Sequence, residues 1–386
     1  MRLLHVSRDY YPDTSGVAEV TYQMTAELAR RGHDVWVATG PQLHPLQSPP
    51  TPGVQVRRFD VSGDCRVGVR GDVPGFVDFV VSGNWDAVTI HDVVGWPITL
   101  LLPHLQRLSG VKVTVNHSDA LLQHPAYRRH RQELGAALRN VDHTVVLSHS
   151  LLNEEFYREF NLAPAVVIPN GVDLEQWAAP PSDLRKAWGI GDRPWLLTVS
   201  NHSGVKRHDR FFRAVTLVRD AIPEAIGTVL GRSHYASRFG LSKLGIRGVR
   251  GGCWYRCKFA ELTGRGVSLQ SSGTRADAIS AIREADILFL TSDSEASPLV
   301  ILESMAAGTP WISWDVGCVR DHVGGIVVNS CHEMAEAAKS LIENPEYRKE
   351  LGAEGKRRVQ EKHSWQQVVT AYEQLYSSPS VRAERI

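Results

Sequence analysis

Long apolar runs are missing from this chain. Nowhere do about 18 consecutive apolar residues occur, so no membrane-spanning helix is expected. The opening stretch "MRLLHVSRDYYP" reads as a strand running into a loop, without an apolar core long enough for a signal peptide. The expectation is a cytoplasmic protein, at most peripheral at the inner face of a membrane. Excess charge of one sign is also missing. Lys plus Arg number 43 against 42 Asp plus Glu, which gives no pointer to a nucleic-acid partner. Cysteine is scarce, five in all, and Cys65, Cys318 and Cys331 are scattered singly, which suits a reducing compartment. Cys253 and Cys257 in "GGCWYRCKF" form the only close pair. A zinc site there would want two further ligands at recognisable spacing, and only His234 is even loosely near, so two ordinary thiols and no metal are expected. No tandem repeat or low-complexity tract is evident. No strand leads into a G-x-G-x-x-G turn either, since Gly248, Gly251 and Gly252 follow no clear strand, which argues against a nicotinamide cofactor.

What is present is a rhythm that occurs twice. The chain has 386 residues, 42% hydrophobic and 22% charged, enough for two ordinary globular cores. In the first half, "RLLHVS", a helix from about Val17 to Arg30 with Gly32 as its stop, then "DVWVATG", "DAVTIHD", "VKVTVNH" and "HTVVLS" alternate as in a parallel sheet wrapped by helices. The second half begins again with "PWLLTVS", a helix around Arg210 to Arg219, then "GTVLG", "VSLQS", "ADILFL" and "PWISWD". Between them "AAPPSD", Ala178 to Asp183, has linker composition. The fold class is therefore α/β, with two doubly wound domains, residues 1–177 and 184–365, joined at 178–183. Facing each other, such domains set the carboxyl ends of their strands around a central cleft.

One stretch, "SDSEASPLVILESMAAGTP" from Ser292 to Pro310, holds two glutamates, Glu295 and Glu303, with seven residues between them. Ser297 followed by Pro298 reads as an N-cap and first helical position, and Gly308 with Pro310 beyond it as the stop. The N–H groups of Leu299 and Val300 then lie at the positive end of the helix without intrahelical partners, where they can receive a phosphate. Glu303 shares its helix with Leu299, Ile301, Leu302 and Met305, so part of its side chain should lie near the core. A carboxylate held there is compensated by hydrogen bonds from adjacent hydroxyls, at roughly 1.5–3 kcal/mol per charged bond, and a sugar or ribose supplies such hydroxyls.

Taken with their order along the chain, these features resemble the retaining GT-B glycosyltransferases of family 4. The paired glutamates flowing into "SMAAGTPWIS" are the most specific element. "YYPDTSGVAEV" with Gly16, "RRGHDV", "TIHD" with His91 and Asp92, "VNHSD" with His117, and "VIPNGVD" with Asn170, Gly171 and Asp173 complete the likeness, which spans nearly the whole chain. The resemblance implies two Rossmann-like domains, the second binding a nucleoside-diphosphate sugar, with the C-terminal helix, about 366–386, packed back on the first. It implies that Glu303 holds the ribose, Glu295 the sugar hydroxyls, and Leu299 and Val300 the diphosphate. Lys206 in "NHSGVKRHD" matches the lysine that neutralises the departing phosphate, His117 would sit at the donor sugar, and Gly16 would let the backbone approach the donor closely.

One position departs from the pattern. Where the family commonly places an arginine five residues before the phosphate lysine, this chain has Asn201, and Arg232 in "VLGRSH" is the preferred substitute over Arg207 and Arg210 because it lies just past a strand end. The implied chemistry is metal-independent and cofactor-free transfer with retention, from a UDP-sugar by preference or a GDP-sugar, to a glycan, glycolipid or small-molecule acceptor. Such an activity fits cell-surface polysaccharide or glycoconjugate synthesis. The basic stretch "YRRHRQELGAALR", Tyr127 to Arg139, is either a solvated helix face or a dock for anionic lipid. Other readings are a nucleotide-sugar epimerase of the same architecture, a phosphorylase, which would need a pyridoxal phosphate lysine, and a non-catalytic sugar-binding protein.

Overall fold

The computed structural model describes residues 1–13, 15–42, 52–117, 124–178, 180, 182–231, 252–264, 266–270 and 274–378. The chain divides into two compact units, Met1–Gly171 with His363–Ile386, and Val172–Lys362.

The first unit is built on strands β1 (Arg2–Val6), β2 (Asp34–Thr39), β3 (Val54–Arg58), β6 (Ala87–His91), β7 (Val111–Asn116), β8 (His143–Val146) and β9 (Val166–Val167), with β4 (Val61–Asp64) and β5 (Gly68–Gly71) as a separate antiparallel pair. The seven strands run parallel in the order β3-β2-β1-β6-β7-β8-β9. A strand covered on both faces carries apolar side chains at successive positions instead of alternating ones, and β6 is buried throughout. The chain moves outward from β1 through β2 to β3, then returns to β6 on the other side of β1. That reversal opens a crevice at the carboxyl ends of β1 and β6. Helix Gly16–Arg30 follows β1, capped by the Ser15 hydroxyl, which accepts from the Ala18 N–H at 3.1 Å. Helix Trp365–Ser377 also belongs to this unit: Glu373 bonds Arg31 and His33 at 2.5 and 2.8 Å, and the Tyr376 hydroxyl meets Thr89 at 2.8 Å.

The second unit repeats the scheme with β10 (Trp195–Val199), β11 (Ile226–Leu230), β12 (Val267–Gln270), β13 (Ile287–Leu290), β14 (Trp311–Trp314) and β15 (Gly325–Val328), parallel in the order β12-β11-β10-β13-β14-β15. Successive residues of β13 feed two cores. Leu288 and Leu290 pack with Ile301, Leu302, Met305 and Trp311, whereas Ile287 and Phe289 pack with Phe211, Val215 and Met334. The reversal falls between β10 and β13, so the loops that leave these two strands border the crevice.

One expectation is corrected. Helix Leu299–Ala307 begins one residue later than Ser297 capping implies, because Pro298 is itself extended, with φ −70° and ψ 109°, and serves as the N-cap without a side-chain bond. The chain passes from one compact unit to the other at Gly171/Val172, ahead of the 178–183 segment, and Val172 and Trp177 are buried in the core that holds Leu184, Trp195 and Trp311.

Candidate active site

In the second unit the loop after β10 carries Lys206 and the loop after β13 carries Glu295. The Lys206 ammonium donates to Glu295 Oε1 at 2.5 Å, and the Ser292 hydroxyl donates to the same oxygen at 2.6 Å. Thr291 Oγ1 donates to the Lys206 carbonyl at 3.0 Å and the Asp293 N–H to the Val205 carbonyl at 2.8 Å, so the two loops are stitched together at both backbone and side chain. These bonds hold a cation and an acid side by side at the switch point, 26% and 13% exposed at their side chains.

The neighbouring cations are committed elsewhere. Arg207, in the left-handed region at φ 49°, bonds Asp209 at 2.8 Å and Asp293 at 3.1 Å, and the Asp209 bond is the chief reason its guanidinium is held more basic than usual. Arg210 bonds Asp293 at 2.6 Å and lies over the Trp314 ring, 3.8 Å from its centroid. Arg232 lies outside the described residues. Asn201 sits in the same loop as Lys206, just past β10.

Glu303 is 8% exposed on helix Leu299–Ala307 and pairs with Arg275, whose guanidinium also bonds Gln176 at 3.1 and 3.2 Å. Leu299 and Val300 form the first turn of that helix. Ser297 is engaged with the Cys318 thiol, a bond that opposes the burial pushing this thiol up to about 11. Cys318 also donates its N–H to the Ala296 carbonyl at 2.9 Å. The chain from Ser292 to Ala296 is thereby fastened on both sides.

In the first unit His117 follows β7 and His91 ends β6. His91 Nδ1 meets His117 Nε2 at 3.1 Å, and His91 Nε2 meets Nδ1 of His5, from β1, at 3.0 Å. The rings lie 5.4 and 5.3 Å apart at 24°. Burial pushes His117 down to about 4 and His5 down to about 3, and lowers His91 well below the ordinary range, so all three are neutral at pH 7. Each neutral ring has one N–H and each inter-ring contact uses one proton, so the three tautomers are coupled: His117 carries its proton on Nδ1 when the bonds are donated from His5 outward and on Nε2 when they run the other way. Gly16 heads helix Gly16–Arg30, and a Cβ built on it would meet nothing within 4 Å.

Sequence reasoning singled out Lys206, Glu295 and Glu303, of which the structure sets Lys206 against Glu295 and Glu303 against Arg275. It missed Ser292 as a partner of Glu295, Arg275 as the partner of Glu303, and His5 as the third ring. Arg275 and His5 depend on tertiary contacts that no local spacing reports, whereas Ser292 stands only three residues from Glu295. Three of the four arginines of the basic stretch are also paired within the unit: Arg129 with Glu133 at 2.8 Å, Arg131 with Glu159 at 2.6 Å, and Arg139 with the Phe160 carbonyl at 2.9 Å. Among the described residues no helix is long and apolar enough to cross a membrane.

Two doubly wound parallel-sheet units, the second with a lysine and an acid at its switch point, define the GT-B architecture. Residues 14–176 match the family described as Glycosyltransferase Family 4, and residues 182–358 match Glycosyl transferases group 1. The chain is a GT-B glycosyltransferase, an enzyme that transfers a sugar from a nucleotide sugar. It is 24% identical over 442 residues to a glycogen synthase of Mycobacterium tuberculosis (strain CDC 1551 / Oshkosh), covering 100% of this chain and 96% of the relative. Among solved structures it resembles the sucrose-phosphate synthase of Thermosynechococcus elongatus, with a TM-score of 0.77, 19% identity, and 97% and 98% of the two chains covered. It also resembles Anabaena Alr3699/HepE in complex with UDP-glucose, with a TM-score of 0.75, 16% identity, and 98% and 100% covered.

Proposed function

We propose that the protein is a retaining, metal-independent hexosyl- or N-acetylhexosaminyltransferase. It takes a UDP-sugar in preference to a GDP-sugar and delivers the sugar to a glycan, glycolipid or small-molecule acceptor in cell-surface polysaccharide or glycoconjugate synthesis. The observation that carries this reading is the Lys206–Glu295 pair, held at the switch point by two hydrogen-bonded loops. The UDP-glucose bound by the Anabaena relative supports the choice of nucleotide.

In this proposal Lys206 and the N–H groups of Leu299 and Val300 hold the diphosphate, Glu303 the ribose and Glu295 the sugar hydroxyls. Ser297 and Asn201 border the donor, with Arg232 as the second cation of the diphosphate clamp. The first unit supplies His117 to the donor sugar and Gly16, where the protein itself leaves room for a Cβ, to a close backbone approach. The bond from sugar C1 to phosphate oxygen breaks with its electron pair leaving on the diphosphate, while the acceptor oxygen bonds C1 on the same face. The growing negative charge is met by Lys206 and the helix N-terminus, which need no metal to act. Docking on anionic membrane is not part of the proposal, because Arg129, Arg131 and Arg139 are already engaged within the unit.

The test is a thermal-shift panel of UDP, GDP, ADP and their sugars, followed by turnover with the stabilising donor. A ligand at 100 times its dissociation constant should add about 2.7 kcal/mol of stability. Uridine ligands are expected to shift the transition most, and turnover is expected to be unchanged by added magnesium or manganese. No shift with any nucleotide sugar would overturn the reading, and hydrolysis or epimerisation without an acceptor would reassign it.

A further inference from the structure

The loop that carries Lys206 begins and ends beside a second cluster, which the transfer reaction does not use. His202 and His208 flank Lys206 in the sequence, and both rings turn to Cys257 of helix Gly252–Leu262. His202 Nδ1 lies 3.7 Å and His208 Nδ1 3.8 Å from the Cys257 sulfur, and the three ligand atoms all lie within 4.8 Å of one another. The residues are 1%, 1% and 0% exposed. From the bond lengths of tetrahedral zinc, a sulfur and a nitrogen sharing one ion stand ~3.6 Å apart, close to both distances seen here. The Nε2 of His208 is 2.7 Å from the Ser200 hydroxyl, the kind of outer bond that fixes a ligating imidazole's tautomer and leaves Nδ1 open. His202 Nε2 is buried without a partner among the described residues, while Nδ1 of the same ring faces the thiol.

We infer that His202, His208 and Cys257 form a site for zinc, with His202 Nδ1, His208 Nδ1 and the Cys257 thiolate as three of its four tetrahedral ligands and water in the fourth position. Two imidazoles and a thiolate suit zinc better than magnesium or calcium, which prefer oxygen. Binding releases the Cys257 proton to solvent. The ion ties both ends of the 202–208 loop to helix Gly252–Leu262. It is therefore a fastening for the loop that presents Lys206, and it takes no part in bond breaking. The side chain of Cys253 lies outside the described residues and is given no role. The inference stands on ligand geometry and does not depend on which sugar is transferred.

The experiment uses the full chain, stripped with a chelator and reloaded with zinc or cobalt(II). Stoichiometric zinc after dialysis, a thiolate-to-cobalt charge-transfer band, and a melting temperature lowered by stripping and restored by zinc are the expected results. Cys257→Ser should remove the charge-transfer band, and His202→Ala should weaken zinc binding by at least about tenfold. Cys65→Ser, a change outside the cluster, should keep wild-type metal content. A wild-type chain that gives no cobalt–thiolate band, or a Cys257→Ser chain that binds zinc as wild type does, overturns the site. Should the variants fail to fold, the wild-type stripping and reloading decides the matter.

Discussion

Glu295 and Glu303 share a helix-and-loop segment but keep different company. Glu295 accepts from Lys206 and Ser292 at the mouth of the crevice, whereas Glu303 is buried beside Arg275 on helix Leu299–Ala307. The proposed division of labour follows from this difference. Glu303→Ala is expected to weaken nucleoside-diphosphate binding itself, by about 1.5–3 kcal/mol for a lost charged hydrogen bond. Glu295→Ala should leave that affinity near wild type and lower turnover; Lys206→Ala should lower turnover by a factor of about ten to a thousand. Calorimetry with the nucleoside diphosphate separates the two, and unchanged affinity in the Glu303 variant rejects the assignment. Lys206 and the glutamates could be singled out in the sequence because each lies in a short motif within one loop or helix. Arg275 stands 28 residues from its partner and His5 stands 86 from His91, so only folding brings either pair together. Cys257 shows the same limit more sharply: its local pairing with Cys253 was read, while its histidine neighbours lie 49 and 55 residues away.

Two glycines show how an element can matter to the site without touching a ligand. Gly308 ends helix Leu299–Ala307 at φ 78°, and Gly317 sits at φ 55° in the loop after β14. Either one replaced by alanine must place a Cβ in the left-handed region, at a cost of roughly 1–2 kcal/mol. Their surroundings differ. A Cβ at Gly308 would have its nearest neighbour at 3.6 Å, whereas one at Gly317 would stand 2.1 Å from the Ala296 carbonyl oxygen and 2.6 Å from that of Glu295. Gly308→Ala should therefore lower the melting temperature while kcat stays near wild type. Gly317→Ala should lower both, because the Glu295 backbone has to move. Equal kcat in the two variants, measured with saturating donor, would show that the Glu295 loop is not positioned by this contact. The helix stop at Gly308 was readable from the sequence, since glycine followed by proline is a local signal. The start was misread by one residue because Ser297 spends its hydroxyl on Cys318, a tertiary partner, and Pro298 takes the extended cap.

At the scale of the molecule, the doubled α/β rhythm was legible because buried parallel strands write continuous apolar runs into the sequence. Turn-forming composition at Ala178–Asp183 breaks that rhythm in the sequence, while the core membership of Val172 and Trp177, which assigns the residues just before it to the second unit, is a tertiary fact that composition does not report. Stability of the first unit should also carry the mark of its buried histidines. His5, His91 and His117 are held neutral, with folded values depressed below the ordinary 6.5. The unfolded chain therefore takes up protons as pH falls through 6.5, and the folded chain does not until about 4 for His117 and about 3 for His5. Stability is full above 6.5 and is lost progressively below it, by about 2 kcal/mol per ring between pH 7 and pH 5. Urea unfolding at the two pH values measures the loss, and the transition should be followed by a probe of the first unit. Replacing His5 with asparagine removes one titrating ring, so the variant should lose about 2 kcal/mol less over the same interval, even if it is less stable at pH 7. A variant whose pH dependence matches wild type would mean that His5 is protonated in the folded chain. The His5–His91–His117 chain would then be charged at its inner end and not neutral throughout.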